Sequence, residues 1–194
     1  VAHAAGVSGS SPALVMAGVV VGAFANAAIL VVLAGAPAGA VRDALWWMMG
    51  SLSGATWGAA AWLTVFVIAG GVTLWAFARE IDVLSRGGDA AAALGVDVDR
   101  ATRRVFLVSA VIAAATVSAA GLIGFVGLVV PAIVRALGAR TGRHALIAAA
   151  LGGAALVVGA DVVARSVRAP AELPLGAVTA LVGVPFFLAR MRHL

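Results

Sequence analysis

Few side chains in this sequence are able to do chemistry, and the pair with the most useful spacing is an aspartate and an arginine. Asp161 and Arg165 lie four residues apart, so on a helix they face the same side and can form an ion pair. An arginine guanidinium can also make a two-point contact with a carboxylate, which lysine cannot copy. The spacing therefore predicts a local ion pair and leaves the guanidinium able to contact a partner as well.

The main hydrophilic stretch covers residues 79–104 and holds ten charged residues. Asp89 can cap a short alanine-rich helix, and Gly95 can end that helix in the left-handed conformation. Asp97 or Asp99 can cap a second helix that runs into the next apolar segment. The pattern predicts two short capped helices on one loop, which form either a rigid docking surface or a solvated connector.

Other chemistry is not expected. His3, His144 and His193 are isolated near chain ends or loops, a spacing that does not predict a metal site. The phosphate-binding sequence Gly-x-x-x-x-Gly-Lys-Ser/Thr does not occur, and there is no lysine to supply it, so the chain is not expected to hydrolyse ATP. The apolar runs carry no acidic residue well inside them, which argues against a proton relay. We therefore predict no enzymatic activity and no cofactor.

The composition places the chain in a membrane. Hydrophobic residues are 63% and charged residues 11% of the sequence, and the mean hydropathy is +1.13. A soluble domain is nearer half apolar and a quarter charged. The uncharged runs are long and do not alternate, so they predict an all-α, polytopic helix bundle in contact with membrane lipid. The sequence pI is near 11.6, but the arginines lie between apolar runs, which indicates membrane topology and no nucleic-acid binding.

The bundle is organised around residues 105–134, a run of 30 without a charge. As one helix this run would be roughly 45 Å long, well beyond a bilayer core of about 30 Å. Gly121, Gly124 and Gly127 are the natural place for a break, and their spacing gives one face where another backbone can approach closely. Pro131 removes a backbone donor and would kink the following helix. We predict a helix, a glycine-rich turn and a short kinked helix running back, with one long tilted helix as the alternative.

Arginine positions predict the topology. Six membrane spans are expected, over residues 12–34, 55–78, 105–119, 120–135, 145–160 and 176–189. Both chain ends then lie on one side, together with Arg79, Arg86, Arg100, Arg103, Arg104, Arg135, Arg140, Arg143, Arg190 and Arg192. Three arginines fall on the other side: Arg42, Arg165 and Arg168. Because basic residues accumulate in the cytoplasm, both ends and the hydrophilic loop are predicted to be cytoplasmic.

The glycine-rich stretch resembles a known family signature. Residues 121–131, Gly-Leu-Ile-Gly-Phe-Val-Gly-Leu-Val-Val-Pro, are followed by Ile-Val-Arg at 133–135. This sequence is similar to the signature of the FecCD-type (BtuC-like) permeases, the membrane subunits of bacterial ATP-driven importers for iron-siderophores, haem and cobalamin. Ala-Glu-Leu-Pro-Leu-Gly at 171–176 and Gly-Val-Pro-Phe-Phe at 183–187 look like the entry to and the exit from the family's final span. The similarity runs from about residue 13 to residue 190, nearly the whole sequence.

The resemblance implies an ATPase-docking site in the hydrophilic loop. Residues 89–95, Asp-Ala-Ala-Ala-Ala-Leu-Gly, look like the loop by which the permease docks into its ATPase subunit. The implied contact residues are Asp89, Ala92, Leu94 and Gly95.

On the other side of the membrane, the resemblance implies a site for a binding protein. Arg165 stands where the family has an arginine that pairs with a glutamate of the binding protein, and Arg42 and Glu172 are grouped with it. Gly121, Gly124, Gly127 and Pro131 are expected to serve helix packing and kinking and to touch no solute.

The resemblance also implies an assembly and a location. A homodimer with the solute path between its copies would join two ATP-binding subunits and a periplasmic substrate-binding protein in the bacterial inner membrane. The sequence begins inside the family pattern, so residues 1–194 are expected to be the carboxy-terminal part of one permease domain, with residues 79–104 as its cytoplasmic loop. The alternatives are a permease for a small metal ion, and a non-transporting scaffold or remnant of a truncated permease.

Overall fold

The secondary structure is helical throughout the part of the chain that the computed structural model describes, residues 11–138, 142–167 and 172–191. The helices are α1 (Ser11–Ala34), α2 (Ala38–Met48), α3 (Trp57–Ala76), α4 (Ala78–Leu84), α5 (Gly88–Ala93), α6 (Val98–Ala120), α7 (Val126–Ala136), α8 (Gly142–Ser166) and α9 (Leu175–Met191). The predicted all-α fold is confirmed. Six residues used in the sequence predictions lie outside the described ranges: His3, Arg140, Arg168, Ala171, Arg192 and His193.

The chain divides after Leu45 into two units, each considered by itself. The first unit consists of α1 and most of α2. From Val15 to Ala34, α1 is strongly apolar and none of its side chains is buried. An apolar surface of this length needs lipid or another protein beside it.

In the described ranges, four helices are long and apolar enough to cross a membrane: α1, α3, α6 and α8. These correspond to the first, second, third and fifth of the six predicted spans. The fourth and sixth predicted spans correspond to shorter apolar helices, α7 and α9. The helix α7 has only 11 residues, in line with the predicted short kinked helix, and measures about 16 Å. That is about half of a bilayer core, so α7 alone does not span it.

The glycine-rich segment explains the short α7. The helix α6 ends at Ala120, Gly121 has a φ of 71°, and Phe125 is in the left-handed conformation before α7 begins. Phe125 contacts Gly183, which lies about 10 Å further along α9 than Gly176. The segment therefore runs along α9 before it becomes helical. The predicted break is confirmed, and one long helix is excluded.

Packing in the second unit is concentrated among α7, α8 and α9 and between α3 and α6. Ala164 of α8 and Leu175 and Val178 of α9 form a buried core cluster at one end of this unit. The helices α4 and α5 and the start of α6 lie together at the other end. The two ends of the second unit are therefore built from different segments, and each carries one of the predicted docking regions.

Candidate functional site

The hydrophilic segment, residues 79–104, is called the docking loop from here on. It contains one helix that the sequence analysis missed. The helix α3 ends at Ala76. Phe77, with a φ of −89° and a ψ of 8°, turns the chain, and α4 begins at Ala78. Ala78 is 3% exposed and seats the start of α4 against the bundle. The mixture of charged and apolar residues in α4, Arg-Glu-Ile-Asp-Val-Leu, was the sequence signal for a short amphipathic helix.

The short helix α5 ends as predicted but begins differently. Gly87 stands at its N-cap position and Asp89 lies in its first turn without a side-chain capping bond, so the predicted Asp89 cap is wrong. At the other end Gly95 has a φ of 78°. The Gly95 N–H donates to Ala92 O at 2.9 Å and the Val96 N–H donates to Ala91 O at 3.1 Å. These two bonds close a Schellman motif, which confirms the predicted left-handed end.

The start of α6 is fixed by Asp97. Its carboxylate accepts a hydrogen bond from the Arg100 N–H at 3.1 Å and also pairs with the Arg100 guanidinium at 3.1 Å. Asp99 lies in the first turn, where its charge favours the helix N-terminus. Of the two candidate caps, Asp97 is therefore the one used.

The outer surface of α5 is exposed and partly apolar. Ala91 is fully buried where α5 packs on its neighbours α4 and α6. Leu94, by contrast, is 64% exposed at the tip of the loop, and Asp89, Ala92 and Gly95 are exposed beside it. A turn closed by two backbone hydrogen bonds therefore holds Leu94 in solvent.

Two contacts join this end of the second unit to α8, and neither was predicted. The Gly142 N–H at the start of α8 donates to Asp82 Oδ1 of α4 at 2.5 Å. The Arg143 guanidinium lies over the Trp75 ring of α3, 5.5 Å from its centroid. The partner of Asp82 is a backbone group 60 residues away, so sequence spacing carries no signal for it.

The predicted ion pair near the end of α8 is confirmed. Arg165 Nε donates to Asp161 Oδ2 at 2.9 Å, and 45% of the Arg165 side chain is exposed. Glu172 is exposed and lies one residue before Leu173, whose N–H donates to Ala164 O at 3.1 Å. Arg165 and Glu172 therefore belong to the same end of the second unit. Arg42 is exposed on α2 in the first unit.

Three chain segments meet close to this end, in a cluster called the glycine junction, formed by residues 47–51, 120–122 and 175–176. The Ser51 N–H donates to Ala120 O, and the N–H groups of Leu175 and Gly176 donate to Gly50 O and Met49 O, each at 3.0 Å. Side chains are excluded here: a Cβ at Gly50 would lie 2.6 Å from Leu122 O, and a Cβ at Gly121 would collide with Trp47 O.

The other predicted packing positions have different surroundings. In the described chain no atom lies within 4 Å of where a Cβ would be at Gly124 or Gly127. Pro131 lies inside α7, between the buried residues Val130 and Val134. The close backbone approach predicted for a glycine face is therefore located at Gly121 within this chain, and packing at Gly124 and Gly127 stays a prediction.

Comparison with known proteins places this arrangement in a family. The FecCD transport family matches residues 2–193. The chain is 45% identical over 152 residues to the cobalamin import system permease protein BtuC of Halobacterium salinarum, covering 78% of this chain and 41% of that protein. It is 37% identical over 180 residues to the hemin transport system permease protein HmuU of Yersinia pestis, covering 93% and 54%.

A solved structure shows the same fold. The inward-facing conformation of an ABC transporter assigned to the metal-chelate type superimposes with a TM-score of 0.87 at 28% identity, over 95% of this chain and 60% of that chain. The chain spans about half the length of the curated relatives it matches. The family match extends over residues 2–193, nearly the whole sequence. The chain therefore belongs to the FecCD transport family.

Proposed function

We propose that this chain forms part of the transmembrane permease subunit of an ATP-driven importer in the bacterial inner membrane, and that the solute is an iron-siderophore, haem or cobalamin. The observation that carries the proposal is the docking loop. It is a compact helical surface with an exposed Leu94, attached to an apolar bundle that belongs to an importer family. An ATPase subunit beneath the bundle is the partner that such a surface fits.

The geometry of the loop supports docking over a solvated connector. Its helices pack on one another, Ala91 is fully buried, and the α5 end is closed by two backbone hydrogen bonds. A solvated connector needs neither the buried side chain nor the fixed end. Preorganised surfaces lose less conformational entropy on binding, which suits a contact that must transmit movement in every cycle.

The chemistry of the bundle supports the proposed solute class. Among the described residues no group of three or more His, Asp or Glu side chains is placed to hold a metal ion. The apolar helices offer mainly Ala, Val, Leu and Gly to a passing solute. A path of this kind favours a bulky chelate over a bare metal ion, and affinity for the chelate would reside in a separate binding protein.

The partners form part of the same proposal. Two copies would enclose the path, two ATP-binding subunits would dock on the loops, and a periplasmic substrate-binding protein would dock near Arg42, Arg165 and Glu172. The names of the relatives support an importer, since they are permease proteins of cobalamin and hemin systems. The exposed apolar side chains of α1 and α3 would contact lipid or the second copy.

Reconstitution tests the proposal. A complete permease that carries this chain is co-purified with its ATPase, placed in proteoliposomes with the binding protein, and offered cobalamin, haem, a ferric siderophore or free metal ions. We expect ATP-dependent uptake of one of the three chelates and none of the free ions. A permease that binds no ATPase and moves none of these solutes is a scaffold, and the proposal would then be wrong.

Reversing the charge at Arg165 should slow docking of the binding protein. Arg165 uses Nε for Asp161, and within the described chain its terminal guanidinium nitrogens are not hydrogen-bonded to another residue. A glutamate there would repel an acidic partner, so we expect roughly tenfold slower association and a weaker salt dependence for Arg165→Glu. Association would be measured with reconstituted permease at two salt concentrations.

The matched control is Asp161→Asn, which removes the local ion pair but keeps the arginine. Association with this variant should remain within a factor of about two of wild type, since most surface ion pairs contribute little. If both variants associate normally while their thermal stability falls, Arg165 serves only the local pair.

A further inference from the structure

The docking loop is continuous with α3 and α6, and in the described part of the chain one of its side chains is also hydrogen-bonded to α8. Within the described part of the chain, the bond from the Gly142 N–H to Asp82 Oδ1 is the only one between a docking-loop side chain and a residue outside the loop. A carboxylate that accepts a hydrogen bond from the first N–H of a helix is stabilised in two ways: the bond is charge-assisted, and the negative charge lies at the positive end of the helix dipole. The contact is close, because a Cβ at Gly142 would lie 2.8 Å from the second carboxylate oxygen of Asp82.

A second, independent contact fixes the same end of α8. Arg143 lies over the ring of Trp75, in the last turn of α3 just before α4 begins. A cation over an aromatic face at this distance is attracted to it. The start of α8 is thus in contact with α3, which precedes the docking loop, and with α4, the first helix of the loop.

The far end of α8 is held to the glycine junction. Ala164 accepts a hydrogen bond from the Leu173 N–H and is 3% exposed, packed in the cluster with Leu175. Leu175 in turn donates to Gly50 O within the junction. The end of α8 beside Arg165 is therefore hydrogen-bonded to the chain that leads into Leu175 and Gly176. Through these residues it is connected to the other two segments of the glycine junction.

Between these two ends α8 is one continuous helix. Its 25 residues measure about 37 Å, enough to cross the bilayer. In lipid its backbone groups have no other partners, so its internal hydrogen bonds keep it intact. At mid-length it packs closely on α7, where a Cβ at Gly152 would lie 3.2 Å from Val130 Cγ1.

From these contacts we propose that Asp82 is a positioning residue that joins the docking loop to α8, so that α4 and α8 move as one body and α8 carries displacement of the loop to the glycine junction. The inference rests on the proposed function in one respect, since the displacement is that of an ATPase-docked loop. The mechanical link between α4 and α8 stands on the contacts alone and is tested separately.

The link is tested by a distance measurement. The chain has no cysteine, so spin labels can be attached to cysteines introduced at exposed Arg79 of α4 and exposed His144 of α8, with any cysteine elsewhere in the complex replaced. In the complete permease with its ATPase, we expect the same narrow distance distribution with and without ATP. Asp82→Ala should broaden the distribution, whereas Asp82→Asn, which keeps an oxygen acceptor for the Gly142 N–H, should stay narrow. Asp97→Ala is the matched control, because it removes a helix cap inside the same loop without touching α8.

The coupling is tested by ATP hydrolysis. Allosteric coupling free energies usually correspond to factors of about 5–150 in the affected equilibrium. We therefore expect the stimulation of ATP hydrolysis by loaded binding protein to fall at least fivefold in Asp82→Ala and to be restored in Asp82→Asn, with unstimulated hydrolysis retained in both.

The outcomes separate the two proposals. If the wild-type permease binds no ATPase, the proposed function fails, and the labels still report whether Asp82 holds α4 to α8. If the ATPase binds but Asp82→Ala leaves the distance distribution unchanged, the link is absent and the inference is wrong. The inference is also wrong if the distribution broadens while stimulation stays at the wild-type level, since α8 then transmits nothing. If Asp82→Ala does not accumulate, loss of stimulation in Asp82→Asn despite a narrow distribution would equally overturn it.

Discussion

An alanine at Gly176 should lower the free energy of unfolding of the permease by about 1–3 kcal/mol or more, the range typical of overpacked sites. A Cβ at this position would lie 2.6 Å from Met49 O and 2.8 Å from Leu122 O. Both obstacles are backbone atoms, from two different segments, so a rotamer change cannot relieve the clash. The added methyl group must separate α9 from the glycine junction and weaken the bonds that Leu175 and Gly176 donate to it. Thermal unfolding in detergent, followed by size-exclusion chromatography, would measure the effect.

The matched control for this substitution is Gly58→Ala. Gly58 is the second residue of α3, as Gly176 is of α9, and the described chain has no atom within 4 Å of its Cβ position. Alanine there should leave stability unchanged or raise it slightly, because alanine favours the helix over glycine. Equal stability of the two variants would show that the junction can open to accept a side chain.

The junction also shows which parts of this fold can be predicted from sequence. Glycines inside a 30-residue apolar run indicate a break, because the run is too long for one span, and the structure breaks there. The partners of Gly121, however, are backbone atoms of Trp47 and Gly50, about 70 residues earlier. A close approach between two backbones requires glycine at the contact, but the sequence does not indicate which segments approach each other.

The length of the fourth span was the least predictable feature of the bundle. Phe125 adopts a φ of 65°, which is rare for a bulky residue, and tertiary contacts such as that with Gly183 hold it there. The glycines at 121, 124 and 127 predict a turn here but do not indicate that Phe125 takes the left-handed conformation. The extended entry to α7 is therefore set by packing against α9, which a pattern of apolar residues does not encode.

The docking loop was predictable where local chemistry decides the structure. Asp97 and Gly95 act through their own neighbours, as a helix cap and a left-handed end. Gly95 was predicted from spacing, and Asp97 was one of two predicted caps. Asp82 acts on a helix that begins 60 residues later, and nothing near it in sequence marks that role. Sequence reasoning thus predicted the left-handed end of α5 and missed the bond between Asp82 and the start of α8.

Valine at Gly95 should reduce ATP-driven uptake at least tenfold without reducing the amount of permease in the membrane. The φ of 78° at Gly95 is strongly unfavourable for a β-branched residue, at a cost of about 1–3 kcal/mol. The Schellman motif would open, and α5, with only six residues, has little else to hold its end. The exposed Leu94 would then lose its fixed position on the docking surface. Uptake and ATP hydrolysis would be measured in proteoliposomes at matched amounts of protein.

The comparison that separates backbone strain from simple bulk is Gly95→Asn. The described chain has no atom within 4 Å of the Cβ position at Gly95, so either side chain fits, and asparagine tolerates the left-handed conformation that valine resists. If the fixed end of α5 is what the ATPase requires, the asparagine variant should retain most uptake while the valine variant loses it. Equal loss in both variants would mean instead that the ATPase packs directly against Gly95 and leaves no room for a side chain. Normal uptake with Gly95→Val would show that uptake does not depend on the conformation of this loop. The proposal that the ATPase docks on this surface would then be wrong.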